Sequence, residues 1–576
     1  MNALRVFVLS VCLSAMAGMP AHAREFDLIL RNGTVIDGTG AARRKADVGI
    51  IGDSIAAVGN LAGSTGRREI QLDGLVLTPG FIDMHAHVAE NEYGDSGLLS
   101  KDVRRRAAQN YVMQGVTSAA ANPDGYQPAS LIEQRERLTR AGIGMNVALF
   151  NGHNSMRATV MGKDTSRLAT PAEVTAMQEL LRRGMEKERS FGLSLGLEYD
   201  SGRYSDADEV VALASAMAPY GGVYIAHQRS QGSAPMWYKP SRSGGLAPPT
   251  LAGALAESVR VAEEGGVTVV VTHIKGWGPG FRGEAAKTIA TLQAARDRGA
   301  RIFMDLYPYF SAGSDGSFVM LPPWAIGADR AFDADGMPRR NFDHAAALRR
   351  VLRDSSKRAG LAADIANQVA LKGGAEHVTV LSYRDHSYDG KTIADLMRLR
   401  GQDLTGLAIA LQLEGDRHEA GGVKLRAVSM DPRDIELFYS QSWAATGSDG
   451  WIVLPEEAVG PLKYVETNQR NFGTYPRGLG FISLERKVDT LEEAVRKSSG
   501  LPAQILGLRD RGVIATGMKA DLAAIDLAKL RDNTTIAEPS VYPSGVQHVF
   551  VNGVAVVADG RPTLALPGRV LDPPGR

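Results

Sequence analysis

Eight short apolar runs alternate with helix-like segments through this chain, and that rhythm limits the fold more than any other feature. The runs are "GFIDMHAH", "GVTSAAAN", "MNVALFN", "FGLSLGLE", "GVYIAH", "VTVVVTH", "RIFMDLYPY" and "AATGSDG". Strand-length runs separated by helical stretches predict a parallel α/β sheet, and eight is the number of strands in a (β/α)8 TIM barrel. The intervening "DADEVVALASAMAPYGG" and "LAGALAESVRVAEEGG" each finish in Gly-Gly, a stop signal for a helix. The seventh and eighth runs are over 100 residues apart. The interval at about 311–425 carries a helix-like "HAAALRRVLRDSSKRAG" and a strand-like "HVTVLSY", too much structure for a plain loop. It is expected to be an insertion on the rim, either a lid or an appendage away from the site.

The flanks differ in character. "FDLILRNGTVIDGTG", "ADVGIIGDSIAAVG" and "EIQLDGLVLTPG" are β-rich runs punctuated by Asn-Gly, Asp-Gly and Gly-Asn pairs, which predict hairpins. "KADLAAIDL" and "VQHVFVNGVAVVADGRP" repeat the pattern near the other end. Residues 24–76 and 506–576 are therefore expected to form two parts of one small β domain, with the barrel at 77–505. Residues 1–23 hold Arg5, the apolar "VFVLSVCLSAMAG" and a final "AHA", the pattern of a secretory signal. The run is too short to span a bilayer easily. A periplasmic or secreted location is expected, with no stable membrane insertion after cleavage.

The charge is balanced at +1, from 65 basic and 64 acidic residues, which is not the footprint of a nucleic-acid binder. Cys12 is the only cysteine and falls in the leader. Any zinc in the mature chain must then be held by histidine, carboxylate or a modified residue.

Only 11 histidines occur in the chain, and two of them, His85 and His87, stand two apart at the end of the first run. The side-chain period of a strand points both to one face with Cα atoms ~6.6 Å apart, within reach of a single metal ion. Asp124, His227, His273 and Asp449 close or follow other runs. The C-terminal ends of barrel strands converge on one face, so the six would meet there. Asp124 also suits a plain turn in Pro-Asp-Gly.

The sequence resembles the N-acyl-D-amino-acid deacylase (D-aminoacylase) group of amidohydrolases through nearly the whole mature chain. The resemblance is carried by "TPGFIDMHAH", "GHNSMRATVMG", "GLSLGLEYDSGRY", "VYIAHQRS", "VTHIKGWG", "DLYPY", "SDG", "GTYPRGLG" and "LPAQILGLRDRGVIATGMKADLAAID". It implies a metal-dependent barrel joined to a β-sandwich built from both chain ends. It further implies His85, His87, His227 and His273 as ligands of one or two zinc ions, and Asp449 as the catalytic aspartate. Where the family has "GNCG" with a metal-binding cysteine, this chain has "NPDG", which sets Asp124 in the cysteine's place. Lys275, Tyr307 and Arg470 match positions that clamp the substrate carboxylate, although "NQR" replaces the family's "HPR" around Arg470. Tyr199 is expected to donate to the developing oxyanion, and His153 to be a supporting residue.

The chemistry implied is hydrolysis of a linear amide in a small-molecule substrate. Zinc lowers the pKa of water toward ~7 and polarises the carbonyl, while Asp449 acts as general base and then as acid toward the departing nitrogen. Peptides ending in a D-residue, cyclic amides, another amide-containing metabolite and a non-catalytic binding role on the same scaffold remain open alternatives from sequence.

Overall fold

The computed structural model describes residues 25–574 apart from 91–96, 129, 200, 233–249, 278–282, 313–317, 328–340, 457–467 and 537. The leader expected at 1–23 lies outside the described residues.

Both chain ends enter one nine-stranded sheet. Glu25–Val35 pairs antiparallel with Arg44–Ile51 and in parallel with Thr65–Gln71 and Val76–Pro79. Val76–Pro79 pairs antiparallel with Leu522–Ile525, which leads on to Val546–Val551, Val554–Ala558 and Arg561–Pro562. Leu28, Leu30, Val48 and Leu77 from one end share a core with Leu522 and Phe550 from the other. Each end thus buries the apolar face of the other.

Hairpins form at Asn552-Gly553 (φ 49° and 80°) and Asp559-Gly560 (φ 50° and 73°), which supply the paired positive angles of a type I′ turn. The expectation fails at Asn32-Gly33. That pair lies inside Glu25–Val35, where the register shifts between Leu30 and Gly33. The Asn32 N–H bonds Asp47 Oδ1 at 2.8 Å, so the pair makes a bulge and the strand continues. Asp73-Gly74 also departs from a hairpin, because the strands on its two sides both run parallel to Glu25–Val35.

Each of the eight apolar runs contains a strand. Phe81–Asp83, Val116–Ala121 and Asn146–Leu149 pair in parallel. Asn151–Gly152, Gly192–Gly196, Val223–His227, Thr268–Val271, Ile302–Leu306 and Ala444–Thr446 pair in parallel in that order. Only Phe150 separates Asn146–Leu149 from Asn151–Gly152, and Gly450–Trp451 pairs in parallel with Ala86–His87. The ends of the first and last runs therefore lie side by side. Leu193, Leu195, Val269, Val271 and Met304 pack on Leu181, Leu213, Leu255 and Leu292 of the crossover helices. Alternate residues, Ile82, Ala120, Ala148, Ile225 and Val270, form a second core, as burial on both faces of a parallel sheet requires.

Between Ile302–Leu306 and Ala444–Thr446 the described residues include helices Ser355–Leu371 and Leu404–Glu414 and the antiparallel pair Val378–Ser382 and Lys424–Ala427. Leu361, Ile365, Val380, Leu407 and Leu425 give this segment a core of its own. It packs on the loop after His273: Lys372 Nζ lies 4.1 Å from the centre of the Trp277 ring.

A buried polar network ties the parallel strands to the nine-stranded sheet. Asp521 accepts from Arg511, from Asn146 Nδ2 at 3.1 Å and from the Asn552 N–H at 2.6 Å. Removing the carboxylate leaves buried Arg511 with only the half-buried Asp510 as an ionic partner, a loss below the ~3–5 kcal/mol of a fully broken buried pair. Asp521→Ala is therefore expected to lower the urea midpoint clearly while metal content in the folded protein is retained. An unchanged midpoint would show that the network contributes little.

Candidate metal centre

The centre is assembled from the ends of neighbouring strands. His85 and His87 are both buried, with ring centroids 5.4 Å apart. Their Nε2 atoms converge on the same two carboxylates: His85 lies 3.5 Å from Asp124 and from Asp449, and His87 lies 3.6 Å from Asp124 and 3.2 Å from Asp449. From the other side, His227 Nδ1 and His273 Nε2 face Asp124 Oδ1 at 3.7 and 3.8 Å. His85, Asp124, His273 and Asp449 bring one ligand-type atom each within 4.8 Å of all the others.

Three of these residues take left-handed backbone angles to get there. Asp124, His273 and Asp449 have φ of 55°, 35° and 51°, angles that cost a non-glycine residue on the order of 1–3 kcal/mol and concentrate at functional sites. Pro123-Asp124-Gly125 is thus a turn, and the turn aims the Asp124 carboxylate among four imidazoles.

The donor set suits a cation. His85 Nε2, His227 Nδ1 and Asp124 Oδ1 are buried and have no hydrogen-bond partner among the described residues. Leaving such groups unmatched costs roughly 1–3 kcal/mol each, and all three point to one place. The opposite nitrogen of His227, Nε2, lies 2.9 Å from Glu198 Oε2. A carboxylate there holds a ring proton on Nε2. Burial would push the His227 pKa down, but Asp124 and Glu198 raise it to about 9, so Nδ1 must give up its proton to a cation that binds there. Burial alone would push the Asp124 carboxyl up, but His85, His227 and His273 hold it well below the usual range. Burial acts on Asp449 in the same sense and is outweighed by Arg470, His273 and His87. Both carboxylates are ionised at neutral pH. Imidazole and carboxylate oxygen are donors that zinc accepts without any thiolate.

The remaining expected site residues gather on this cluster. Arg470, at the start of the helix Arg470–Arg477, places Nη1 2.9 Å from Asp449 Oδ2. Lys275 is buried, with Nζ 3.1 Å from Gln231 Oε1 and 3.2 Å from His273 Nδ1. Both cations lie 5.3 Å from the centre of the Tyr307 ring. The Tyr199 ring sits 4.4 Å from the His227 ring. His153 bonds Glu209 at 2.7 Å beside buried Arg157, a supporting position as expected.

Several partners were not foreseen. Glu198 holds His227, Gln231 Nε2 lies 2.8 Å from His273 Nδ1, and Trp451 stacks on His87 with centroids 4.5 Å apart. Thr272 and Asp305 stand behind His85 and His273. Two of these carried a signal: Glu198 and Asp305 are acids set in apolar strand-end runs, "GLEY" and "DLYPY".

The family model described as Amidohydrolase family matches residues 68–303 and 445–557, more than half of the chain. The D-aminoacylase of Alcaligenes xylosoxydans xylosoxydans is 28% identical over 574 residues, 96% of this chain and 98% of that enzyme. The N-acyl-D-glutamate deacylase of the same organism is 28% identical over 559 residues, 95% of this chain and 96% of the relative. A solved D-aminoacylase structure, studied for the role of its binuclear metal center, superimposes with a TM-score of 0.70 at 28% identity, covering 95% of this chain and 100% of that one. The fold is the TIM-barrel type of those enzymes, and by sequence and structure together the chain belongs to the amidohydrolase family.

Proposed function

We propose that this enzyme removes the acyl group from N-acyl-D-amino acids with one or two zinc ions at the histidine and aspartate cluster. The observation that carries the reading is the position of Asp449, which touches His87 on one side and the cation Arg470 on the other. His85, His87, His227, His273 and Asp124 would hold the metal. When bound, zinc supplies Lewis acidity to the amide carbonyl and an acidified water.

The chain's own residues do the rest. Asp449 takes the proton of the attacking water on its carboxylate and returns it to the amide nitrogen, which leaves poorly unless protonated. Lys275 and Arg470, each 5.3 Å from the centre of the Tyr307 ring, bind the carboxylate of the amino-acid product half, as paired cations favour. Tyr199 donates its hydroxyl to the oxygen that becomes negative. Arg470 engaged by substrate holds Asp449 less tightly, which raises the basicity of Asp449 when a proton must be moved.

The same reading takes the eight strands to close into a barrel through the Gly450–Trp451 and Ala86–His87 pair. Residues 24–76 and 506–576 would form the β-sandwich, and the insertion would act as a lid. It also takes residues 1–23 as an export signal to the periplasm or beyond. A panel of N-acetyl-D-amino acids, their L-enantiomers, D-terminal dipeptides and cyclic imides tests the substrate. D-selective deacylation that is lost with chelator supports it, and an inert acyl-D panel with zinc loaded overturns it.

A pH profile checks the carboxylate clamp. Burial pushes the Lys275 ammonium down to about 8, against the opposing pull of Asp449. The cation is present below that pH and lost above it, and kcat/KM reports groups of the free enzyme. For carboxylate substrates kcat/KM is expected to fall above about pH 8, and this limb should be absent in Lys275→Met. A limb that persists in the variant would assign it to another group.

A further inference from the structure

We infer that Thr272 and Asp305 are positioning residues that fix the ring proton of His85 on Nδ1 and so turn the Nε2 lone pair toward the metal. The inference rests on the metal reading above, and it follows from counting protons along three buried side chains. The backbone N–H of His273 donates to Asp305 Oδ1 at 2.7 Å. The Thr272 hydroxyl donates to Asp305 Oδ2 at 2.6 Å. A hydroxyl has one proton. With Asp305 ionised and that proton directed at it, Thr272 Oγ1 offers only lone pairs to His85 Nδ1, 2.9 Å away. Nδ1 must then be the protonated nitrogen, and in a neutral imidazole the other nitrogen is the acceptor. That other nitrogen, Nε2, is the one facing Asp124 and Asp449.

The relay is a product of strand register. Val271 lies opposite Met304 in the parallel pair, which brings the next residues, Thr272 and Asp305, together. One carboxylate thereby supports two of the clustered histidines, the ring of His85 through Thr272 and the backbone of His273 directly.

A merely structural Asp305 and a proton-directing one respond differently to Asp305→Asn. The asparagine keeps the size and can still accept from His273 N–H. Its amide N–H would donate to Thr272, however, so the hydroxyl proton turns to His85 Nδ1 and drives the ring proton to Nε2, facing the metal. Thr272→Val removes the bond without imposing the wrong tautomer, and Thr272→Ser retains it. Zinc affinity of the purified enzyme and its variants, measured by competition with a chromophoric chelator, reads the difference, with thermal unfolding of the metal-free forms followed alongside. Expected are a weakening of about 100-fold for Asp305→Asn and about 10-fold for Thr272→Val, within the range known for partners of metal-bound histidines. Thr272→Ser should stay close to the parent. Asp305→Asn binding zinc no more weakly than Thr272→Val overturns the relay, as does Thr272→Ser binding as weakly as the valine variant. If Asp305→Asn does not fold, the Thr272 pair decides alone, and a valine variant with parental affinity overturns the inference. A parent that binds no zinc overturns the metal reading and the relay with it; a zinc-binding parent with the wrong order overturns only the relay.

Discussion

Asp449→Asn is expected to lower kcat by about 10³- to 10⁴-fold, the upper part of what a positioned acid–base group contributes, while leaving zinc bound. The two halves of that result have separate physical origins. Asparagine keeps the shape and one oxygen near His87 and Arg470, but it cannot take a proton from water or return one to a leaving nitrogen. The metal-facing atoms of His85, His87, Asp124, His227 and His273 are untouched. Arg470 loses an ionic partner in a buried setting, so the variant is also expected to unfold at a lower temperature, and activity must be compared well below that point. Rate and zinc content measured on the same preparation check the assignment. A variant that loses zinc in proportion to activity would make Asp449 chiefly a ligand.

How much of this was legible beforehand depends on whether a contact is local. The convergence of His85 and His87 was expected from an unbroken strand, but a bend at Met84 and His85 separates Phe81–Asp83 from Ala86–His87. The eight runs could be read from their alternation with helix-like segments. The convergence of His227, His273 and Asp449 followed from strand ends sharing one face. Glu198, Thr272 and Asp305 could not be assigned in the same way, because their roles depend on which neighbours the strand register sets beside them. Thr272 meets His85 across 187 positions of chain, and no spacing rule reaches that far. The Asn32-Gly33 hairpin went wrong for a related reason: the pair has turn chemistry, but the parallel strand at Thr65–Gln71 and the antiparallel one at Arg44–Ile51 together hold Glu25–Val35 extended across it. At Pro123-Asp124-Gly125 the opposite occurred. Turn and ligand were weighed as alternatives, whereas the positive φ of the turn is what directs the carboxylate inward.

Replacement of Asp124 gives the second large effect. Its carboxylate lies between 3.5 and 3.8 Å from nitrogens of His85, His87, His227 and His273, so it faces all four imidazoles. Removing it takes away both a donor and the negative charge that offsets a dication. Zinc affinity is expected to fall by more than about 100-fold, beyond the loss typical of an outer partner, and activity should fall with it. The backbone must be controlled for, since φ 55° at this position strains alanine, whereas asparagine tolerates the left-handed region. Asp124→Asn therefore isolates the charge, and Asp124→Ala adds the cost of the turn. Asp124→Cys restores an anionic donor that zinc accepts, and it should recover metal binding that the other two lack. Zinc affinity and rate across the three variants are expected to move together, in contrast to Asp449→Asn, where rate falls and metal stays. An Asp124→Asn enzyme that is fully metallated and active would leave Asp124 with the turn as its only role.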